Sequence, residues 1–512
     1  MSSSSDKIYD LLIIGGGING AGIARDAAGR GYSVYLCEMN DFASGTSSNS
    51  TKLIHGGLRY LEKYKFRLVQ KSLKEREVLL KMAPHIIKPM RFILPYSKEM
   101  RPAWLMRIGL AIYDHLGFRK ILPATSKVKF KSNIRNPLKK EFKYGFEYSD
   151  CWVDDSRLVI LNMIDASNKG AILKNYTKVI DVKNSNDYLS VTTSDSINSK
   201  EKIIKAKTVI NASGPWVDEV LNSSLNSTNS KNVRLVRGSH IVVKKLFDHD
   251  KSYICQNDDG RIFFMIPYED NFTLIGTTDI DHGKLVKNVE ISEEEKKYIC
   301  DSANKYIENE ISLKDIIWSY SGIRPLYDDD ATKAQEATRD YIISSKKQSA
   351  SLIINIFGGK ITTYRRLAEN ILELVEAFLG KKKNSWTENS SLPGGEMSVD
   401  GHLDLFKILN EKYPFLANQT IKRLIRSYGL LSSHVFGDAK ELESLGIDFG
   451  SDLYEKEVKY LIDEEWARTS DDILFRRSKL GLVLSKEGLK KLNSYLDSYF
   501  QNNKISDKVT TA

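Results

Sequence analysis

The sequence YDLLIIGGGING at residues 9–20 reads as an apolar strand, a glycine-rich turn and the start of a helix. Gly15, Gly17 and Gly20 fit the pattern G-x-G-x-x-G. In that pattern the first glycine permits the tight turn, the second lets the backbone approach a pyrophosphate, and the third lets the helix pack against the strand. The helix N-terminus offers N–H groups and a partial positive charge to the same anion. These residues predict a dinucleotide-binding site.

Glu38 strengthens this prediction. It follows a second short apolar run at residues 34–37, where the first strand–helix–strand unit would end. A carboxylate at this point suits the ribose hydroxyls of an adenosine and repels a 2′-phosphate. The alternative is a glycine-rich turn without a ligand, but the strand, the helix and the acid together favour a dinucleotide.

Length, charge and cysteine spacing narrow the class of protein. The chain has 512 residues, which is enough for several domains, and a net charge of +10. A basic balance favours an anionic partner, although solvated lysines would give the same charge. We expect no nucleic-acid partner, signal peptide or membrane-spanning helix, since no such motif or long apolar run is present. The four cysteines are far apart, so no metal site is expected and a reducing compartment fits.

Two further elements resemble the first one in outline. TVINASGPW at residues 208–216 and IINIFGGKITTYR at residues 353–365 each place small residues after an apolar strand. They predict a nucleotide-binding domain assembled from separated segments. Alternating apolar residues at 241–244, 262–266 and 272–275 predict antiparallel strands between those segments.

Residues 65–82 have the apolar spacing of a helix. The pattern predicts that the charged residues of this helix lie away from its buried stripe. The residues expected in the buried stripe are Leu68, Leu73, Val78 and Leu79.

Longer motifs support a family resemblance that covers about residues 8–500. The motifs are IIGGGINGAG (13–22), KLIHGGLRYL (52–61), GFEYSDCWVDD (145–155), NASGPW (211–216), RGSH (237–240), IGTTD (275–279), YSGIRPL (320–326), FGGKITTYR (357–365), DFG (448–450) and EWAR (465–468). By these motifs the chain resembles the FAD-dependent glycerol-3-phosphate dehydrogenases of respiration, within the D-amino-acid oxidase-like flavoprotein superfamily.

The resemblance implies an α/β fold in which a Rossmann-like FAD-binding domain is interleaved with an antiparallel-sheet substrate domain, followed by a C-terminal helical domain. The implied oxidoreductase region is 8–394 and the helical domain is 395–512. Within the first region, the FAD-binding segments are about 8–90, 150–240 and 340–394, and the substrate segments are about 91–149 and 241–339.

The implied reaction is the oxidation of sn-glycerol 3-phosphate to dihydroxyacetone phosphate by hydride transfer to FAD. Electrons would pass to a membrane quinone. The resemblance also implies a cytoplasmic protein attached peripherally to the anionic inner face of the cytoplasmic membrane, and a homodimer is possible. The general base, the oligomeric state and the membrane-contacting surface stay open.

The resemblance also assigns the site residues. His55, Arg324 and Lys360 are the expected catalytic residues, with His55 as the leading candidate for the base. The expected substrate-binding residues are Arg59, Tyr60, Thr277, Arg324, Arg339 and Lys360. The expected FAD-binding residues are Gly15, Gly17, Ile18, Asn19, Gly20, Glu38, Ser47, Ser48, Lys52, Leu53, His55, Ala212, Gly214, Gly359, Lys360, Ile361 and Thr362. The alternatives are surface salt bridges for the cations and a purely hydrogen-bonding role for His55.

Four other functions stay open at this point. An oxidase would act on the same substrate with oxygen as the acceptor and would release peroxide. An amino-acid or amine oxidase is disfavoured, because several cations suit a phosphate dianion better than a carboxylate. An NAD-dependent dehydrogenase is disfavoured by the second and third glycine-rich elements. A nucleotide-binding protein without activity is disfavoured, because it would not need the expected cationic residues and His55.

Overall fold

The structure, a computed structural model, describes residues 7–117, 119–130, 137–225, 231–285, 289–329, 338–348 and 350–509. Its strands are β1 (Ile8–Ile14), β2 (Val34–Cys37), β3 (Leu53–Ile54), β4 (Ile87–Pro95), β5 (Ser126–Lys129), β6 (Tyr144–Val153), β7 (Ile172–Lys174), β8 (Thr177–Asn184), β9 (Leu189–Asp195), β10 (Glu201–Asn211), β11 (Val233–Lys244), β12 (Ser252–Gln256), β13 (Ile262–Tyr268), β14 (Phe272–Gly276), β15 (Ile280–Asp281), β16 (Ile316–Tyr327), β17 (Ile342–Gln348), β18 (Ser351–Phe357), β19 (Asp448–Gly450) and β20 (Leu453–Tyr454).

The helices are α1 (Ile18–Gly29), α2 (Phe66–Met82), α3 (Ala103–Leu116), α4 (Asp155–Asn168), α5 (Val217–Ser223), α6 (Glu293–Asn304), α7 (Tyr364–Leu379), α8 (His402–Lys412), α9 (Asn418–Tyr428), α10 (Ser432–Phe436), α11 (Glu455–Asp463) and α12 (Lys486–Val509). Among the described residues, no helix is both long and apolar enough to cross a membrane.

The first sheet has a parallel core in the order β18, β10, β1, β2, β7, with β17 antiparallel at its edge. Strand β1 is apolar throughout its centre, and Leu11, Leu12 and Ile13 are fully buried, as expected for a parallel strand covered on both faces. The last residues of β1 and β10, Ile14 and Asn211, lie opposite each other, and Asn211 also lies opposite Asn355. The three glycine-rich turns therefore meet at the carboxyl edge of this sheet, which confirms the predicted assembly from separated segments.

The second sheet has ten strands and is mainly antiparallel, with one parallel pair between β4 and β12. The strands predicted at 241–244, 262–266 and 272–275 form parts of β11, β13 and β14 and pair antiparallel. The sheet comes from chain segments between the parallel strands of the first sheet, so the interleaved α/β arrangement is confirmed.

Helix α2 confirms the helix predicted over residues 65–82, but the prediction that its charges face away from the interior is wrong in part. Leu73 and Leu79 are buried, and so are Glu75 and Arg76. Glu75 accepts hydrogen bonds from Arg365, and Arg76 pairs with Asp150 at 2.6 Å. A partner on another element thus lets a charge enter the interior.

The chain divides into two compact units. The first contains Met1–Met82 and Ile87–Ser390, and the second contains Ala83–Ile86 and Ser391–Ala512. The second unit holds α8 to α12 and the short β19–β20 pair, around a core that includes Leu424, Phe436 and Leu461. The predicted helical character of the C-terminal region is confirmed.

Candidate active site

The first glycine turn requires its glycines for steric reasons. Gly15 has φ +109°, and a Cβ there would lie 2.6 Å from the Ala212 carbonyl oxygen. A Cβ on Gly20 would lie 2.0 Å from the Gly15 carbonyl oxygen. The turn therefore brings the start of α1 against the end of β10, and only glycine fits this approach.

Polar side chains surround the N-terminus of α1. The Ile18 N–H donates to Ser47 Oγ at 2.9 Å, and the Gly16 N–H donates to Glu38 Oε2 at 2.7 Å. Gly17 is the N-cap residue of α1, and as a glycine it has no side chain that could cap the helix. The structure thus places Gly15, Gly17, Ile18, Gly20, Glu38 and Ser47 around one helix N-terminus, a preferred binding position for a pyrophosphate.

The third glycine turn contacts the first. Asn19 Nδ2 donates to the Gly358 carbonyl oxygen at 3.4 Å, and a Cβ on Gly359 would lie 3.3 Å from the same nitrogen. Asn19 Oδ1 is buried and accepts no hydrogen bond from the described residues. Gly359 has φ +106°, and Gly214 has φ +60° in the second turn next to Ala212. The open acceptor and the glycine-lined edge fit a dinucleotide that lies across these turns.

The loop after the 46–48 turn leads into β3. The Lys52 ammonium is buried and donates to Asp155 Oδ1 at 2.8 Å and to the Ser48 carbonyl oxygen at 3.0 Å. This pair already satisfies two of the ammonium's three donors. The predicted contacts of Ser48 and Lys52 with FAD stay predictions.

β3 runs beside the third turn. Leu53 pairs with Trp152 on β6, and Thr362 Oγ1 accepts a hydrogen bond from the His55 N–H at 3.3 Å. The short helical turn Ile361–Thr363 follows Lys360 directly. Leu53, His55, Lys360, Ile361 and Thr362 are thus brought together at one place.

A cavity of about 210 Å³ opens beside this place, within the first unit. Predicted residues in its wall are Leu53, His55, Arg59, Tyr60, Thr277, Arg324 and Arg339. Residues in its wall that the sequence patterns did not single out are Thr51, Gly57, Leu58, Lys63, Phe92, Tyr148, Asp150, Ile254, Ile262, Phe264 and Asp279. Cations and aromatic or aliphatic side chains thus share one concave site, a composition typical of a small-molecule site.

Arg324 and Arg339 converge on Asp279, and Arg324 also contacts Thr277. Arg324 Nη1 donates to Asp279 Oδ1 at 2.5 Å, and Arg324 Nη2 donates to Thr277 Oγ1 at 2.9 Å. Arg339 Nη2 lies 3.8 Å from Asp279 Oδ2. The motif IGTTD carries Asp279 in its last position, and this motif was the only sequence signal for that carboxylate.

Lys360 packs against Tyr60, whose side chain lines the cavity. Lys360 Nζ is buried 3.9 Å from the centre of the Tyr60 ring and has no hydrogen-bond acceptor of standard geometry among the described residues. Burial lowers the pKa of Lys360, Tyr60 opposes this, and Arg339 lowers the pKa further. Burial raises the pKa of Tyr60, but Lys360, Arg339 and Arg324 leave it below its ordinary value. An anion entering here would relieve unfavourable charge.

His55 also lies near Lys360. Burial, then Lys360 and Arg76, lower its pKa to about 3. The imidazole is therefore neutral at physiological pH and has a lone pair for a proton. Arg59 also lines the cavity, and its guanidinium group makes no hydrogen bond or ion pair with the residues that the structure describes.

Asp150 is a second carboxylate in the cavity wall that was not predicted as a site residue, and the motif at residues 145–155 was its only sequence signal. It accepts hydrogen bonds from Arg76 at 2.6 Å and from the Tyr113 hydroxyl at 2.8 Å. The Gly56 N–H donates to the same hydroxyl at 2.8 Å. The network supports the turn that carries His55 and Gly56.

Comparison with known proteins agrees with this geometry. The family described as FAD dependent oxidoreductase matches residues 10–365, and the C-terminal domain of alpha-glycerophosphate oxidase matches residues 385–508. The aerobic glycerol-3-phosphate dehydrogenase of Escherichia coli strain K12 is 45% identical over 494 residues, which cover 96% of this chain and 98% of that protein. The D-erythritol 1-phosphate dehydrogenase of Brucella abortus strain 2308 is 45% identical over 478 residues, covering 93% and 95%.

A solved structure matches nearly the whole chain as well. The X-ray structure of the glycerol-3-phosphate dehydrogenase from Bacillus halodurans complexed with FAD has a TM-score of 0.74 at 27% identity and covers 98% of this chain and 92% of that chain. The prediction of FAD as the cofactor is confirmed. The chain belongs to the FAD-dependent oxidoreductase family, in the branch that contains the glycerol-3-phosphate dehydrogenases.

Proposed function

We propose that this chain oxidises sn-glycerol 3-phosphate to dihydroxyacetone phosphate and passes the electrons to a membrane quinone. The observation that carries the proposal is the convergence of Arg59, Arg324 and Arg339 in one cavity, with Lys360 packed against the ring of Tyr60 in the cavity wall. Planar guanidinium groups and a point charge together suit a phosphate dianion. The Escherichia coli relative is named for this substrate.

The chain's own residues divide the work as follows. Arg324, Arg339, Arg59 and Lys360 hold the phosphate and so fix the position of the adjacent secondary alcohol. Such positioning converts binding energy into rate. Tyr60 and Thr277 orient the substrate through their hydroxyls.

His55 takes the hydroxyl proton at an imidazole nitrogen, because it is neutral and lies beside the cationic residues. A phosphate dianion next to Lys360 offsets part of the charge that lowers the pKa of His55, so substrate binding raises that pKa toward the working pH. FAD, when bound across the three glycine turns, supplies the hydride acceptor. Gly15, Gly17, Ser47, Ala212, Gly214 and the 359–362 segment would hold it.

Anaerobic mixing with sn-glycerol 3-phosphate tests the proposal. The purified protein is expected to be yellow, with a flavin absorbance near ~450 nm that this substrate bleaches. Glycerol is expected to bleach it barely, since it lacks the phosphate. A soluble quinone is expected to restore the colour, and NAD is not. Bleaching by an amino acid alone would overturn the substrate assignment, and rapid recovery in air with stoichiometric peroxide would establish the oxidase instead.

A four-carbon polyol phosphate is the second candidate substrate. The Brucella abortus relative, named for D-erythritol 1-phosphate, is as similar to this chain as the Escherichia coli relative. The phosphate site would serve both substrates, so the difference must lie among the other residues of the cavity wall, which include Phe92 and Phe264. Comparing kcat/KM for the two substrates decides between them, and a higher value for the four-carbon substrate would replace the first proposal.

A further inference from the structure

A buried carboxylate lies behind the sheet that carries Arg324. Glu295, in the first turn of α6, is 3% exposed and is not one of the residues that line the cavity. Its Oε1 accepts hydrogen bonds from the Ser239 and Thr278 hydroxyls, each at 2.8 Å. Its Oε2 lies 2.7 Å from Arg237 Nη2. Burial of a charge is unfavourable unless hydrogen-bond donors surround it, so this carboxylate depends on those three partners.

Glu295 also belongs to the capping box of α6. The Ser292 hydroxyl accepts a hydrogen bond from the Glu295 N–H at 3.2 Å, and the Ser292 N–H donates to Glu295 Oε2 at 3.1 Å. These two bonds satisfy donors at the N-terminus of the helix. They use only Oε2 of the carboxylate, so helix capping leaves the two bonds of Oε1 to Ser239 and Thr278 unexplained.

Strand β11 separates Glu295 from the Arg324 guanidinium. Successive side chains of a strand point to opposite faces of the sheet. Arg237 and Ser239 contact Glu295 on one face. Gly238 lies between them and faces the other side, where a Cβ would lie 2.3 Å from Arg324 Nη2. The missing side chain of Gly238 thus makes room for the guanidinium, and the carboxylate lies on the opposite face of the strand.

The carboxylate supports two segments around Arg324. The first is the turn after β14, where Arg324 Nη1 donates to the Thr278 carbonyl oxygen at 3.2 Å. The Thr278 hydroxyl donates to Glu295 and accepts from the Ser239 N–H at 3.0 Å, so its orientation is fixed. The second segment is β16, because the Ser239 hydroxyl lies 2.8 Å from Ser321 Oγ on that strand, which also carries Arg324.

We propose that Glu295 is a positioning residue for the phosphate-binding site. Through Thr278 and Ser239 it fixes the two segments that hold Arg324, so that the guanidinium is in place before substrate arrives. The inference rests on the proposed function, because that function assigns Arg324 to the phosphate of the substrate. A cation that is held in its binding geometry in advance reduces the ordering that binding would otherwise require.

Steady-state kinetics of the holoenzyme test this inference with Thr278→Val and Glu295→Ala. Thr278→Val removes the hydroxyl and leaves the charges and the capping box in place. Both variants are expected to keep FAD and to lower kcat/KM for sn-glycerol 3-phosphate about tenfold or more, because Arg324 loses its position. The matched control is Ser292→Ala, which removes the N-cap of α6 and keeps both bonds of Oε1. It is expected to lower the Tm and to change kcat/KM little.

A double-mutant cycle with Arg324→Ala separates positioning from general destabilisation. If Thr278 acts through Arg324, Thr278→Val is expected to lose its effect on kcat/KM in the Arg324→Ala background, since coupled residues are not additive. An equal fold-change in both backgrounds would overturn the inference, and so would an unchanged kcat/KM in Thr278→Val. A loss in Ser292→Ala as large as that in Thr278→Val would overturn it too, because helix capping would then explain both. The cycle decides the question even where Glu295→Ala fails to fold.

Isothermal titration of the holoenzyme with inorganic phosphate makes the same comparison without turnover. Thr278→Val is expected to bind phosphate more weakly than the parent, and equal affinity would contradict the positioning role. A parent that binds phosphate but whose flavin is not bleached by sn-glycerol 3-phosphate would count against the proposed function. Weaker phosphate binding by Thr278→Val in that case would still support the role of Glu295.

Discussion

The Asp279 carboxylate accepts a hydrogen bond from Arg324 at 2.5 Å and holds this guanidinium at the wall of the cavity. The second oxygen of the same carboxylate lies 3.8 Å from Arg339. One negative charge therefore positions two cations and offsets part of their charge before any anion enters. An incoming phosphate competes with Asp279 for these donors, which makes Asp279 a positioning residue in the proposed reaction.

The variant Asp279→Asn tests whether Asp279 positions Arg324 or only offsets its charge. Removing the carboxylate charge is expected to tighten the binding of inorganic phosphate, while Arg324 loses a charge-assisted bond worth about 1.5–3 kcal/mol. If that energy serves positioning, kcat falls ~10- to 150-fold. Spectral titration of the flavin gives the dissociation constant, and steady-state kinetics give kcat. A fall in kcat/KM that comes entirely from KM would contradict the positioning role.

Arg324→Ala is expected to damage substrate handling and to leave FAD bound. Loss of a charge-assisted bond to phosphate costs about 1.5–3 kcal/mol, which is ~10- to 150-fold in kcat/KM. The matched control is Arg234→Ala, whose parent pairs with Asp281 outside the cavity wall and is expected to change kcat/KM little. Loss of flavin without a separate kinetic defect would show that Arg324 is structural.

His55→Gln is expected to slow flavin reduction more than it weakens substrate binding. A positioned base contributes ~10²–10⁴-fold. Because the pKa of His55 is about 3 in the free protein, kcat/KM of the parent is expected to show no inflection from this residue near its ordinary value. Anaerobic stopped-flow reduction against pH compares the two proteins. An unchanged rate and pH profile would exclude His55 as the base and leave Lys360 or a water in that role.

His55 also gives a pH dependence of stability. Its pKa is lowered in the folded state, so below its ordinary pKa of ~6.5 the unfolded chain binds a proton that the folded chain does not. The free energy of unfolding of the parent is therefore expected to fall, relative to His55→Gln, as the pH drops from ~6.5 toward 3. Thermal unfolding of both proteins at neutral and acidic pH measures this. A Tm difference that stays constant across the range would refute the assignment.

Gly15→Ala is expected to reduce the amount of bound FAD. The new Cβ would lie 2.6 Å from the Ala212 carbonyl oxygen at a φ of +109°, so the first and second turns must move apart. Gly109→Ala is the matched control, because its Cβ meets no atom within 4 Å in the middle of α3. The ratio of flavin to protein absorbance after purification reports the outcome. Full flavin content in Gly15→Ala would mean that the turn adapts.

The glycine turns were predictable because their signal is local. A strand, a glycine spacing and an acid lie within residues 9–38, and each has its own physical reason to be there. Asp279 and Asp150 were not singled out, because their partners Arg324 and Arg76 are 45 and 74 residues away in the chain. No period or spacing in the sequence reports such contacts.

Local sequence patterns also failed to predict which charged side chains are buried. Helical periodicity correctly predicted α2 but placed its charges outward, whereas Arg76 is buried. The free energy of burying that guanidinium depends on Asp150 and on the Ser149 carbonyl oxygen, both of which strand β6 supplies. Contacts of this kind emerge only once the sheets are assembled.

The contact between Asn19 and Gly358 joins residues 339 positions apart. During synthesis, the first glycine turn leaves the ribosome long before its partner exists. The third glycine turn follows β18, so the dinucleotide-binding site is incomplete until β18 has emerged and paired with β10. Most of the oxidoreductase region must therefore be synthesised before the dinucleotide-binding site can form. A chain truncated before residue 351 lacks the strand needed to complete this site.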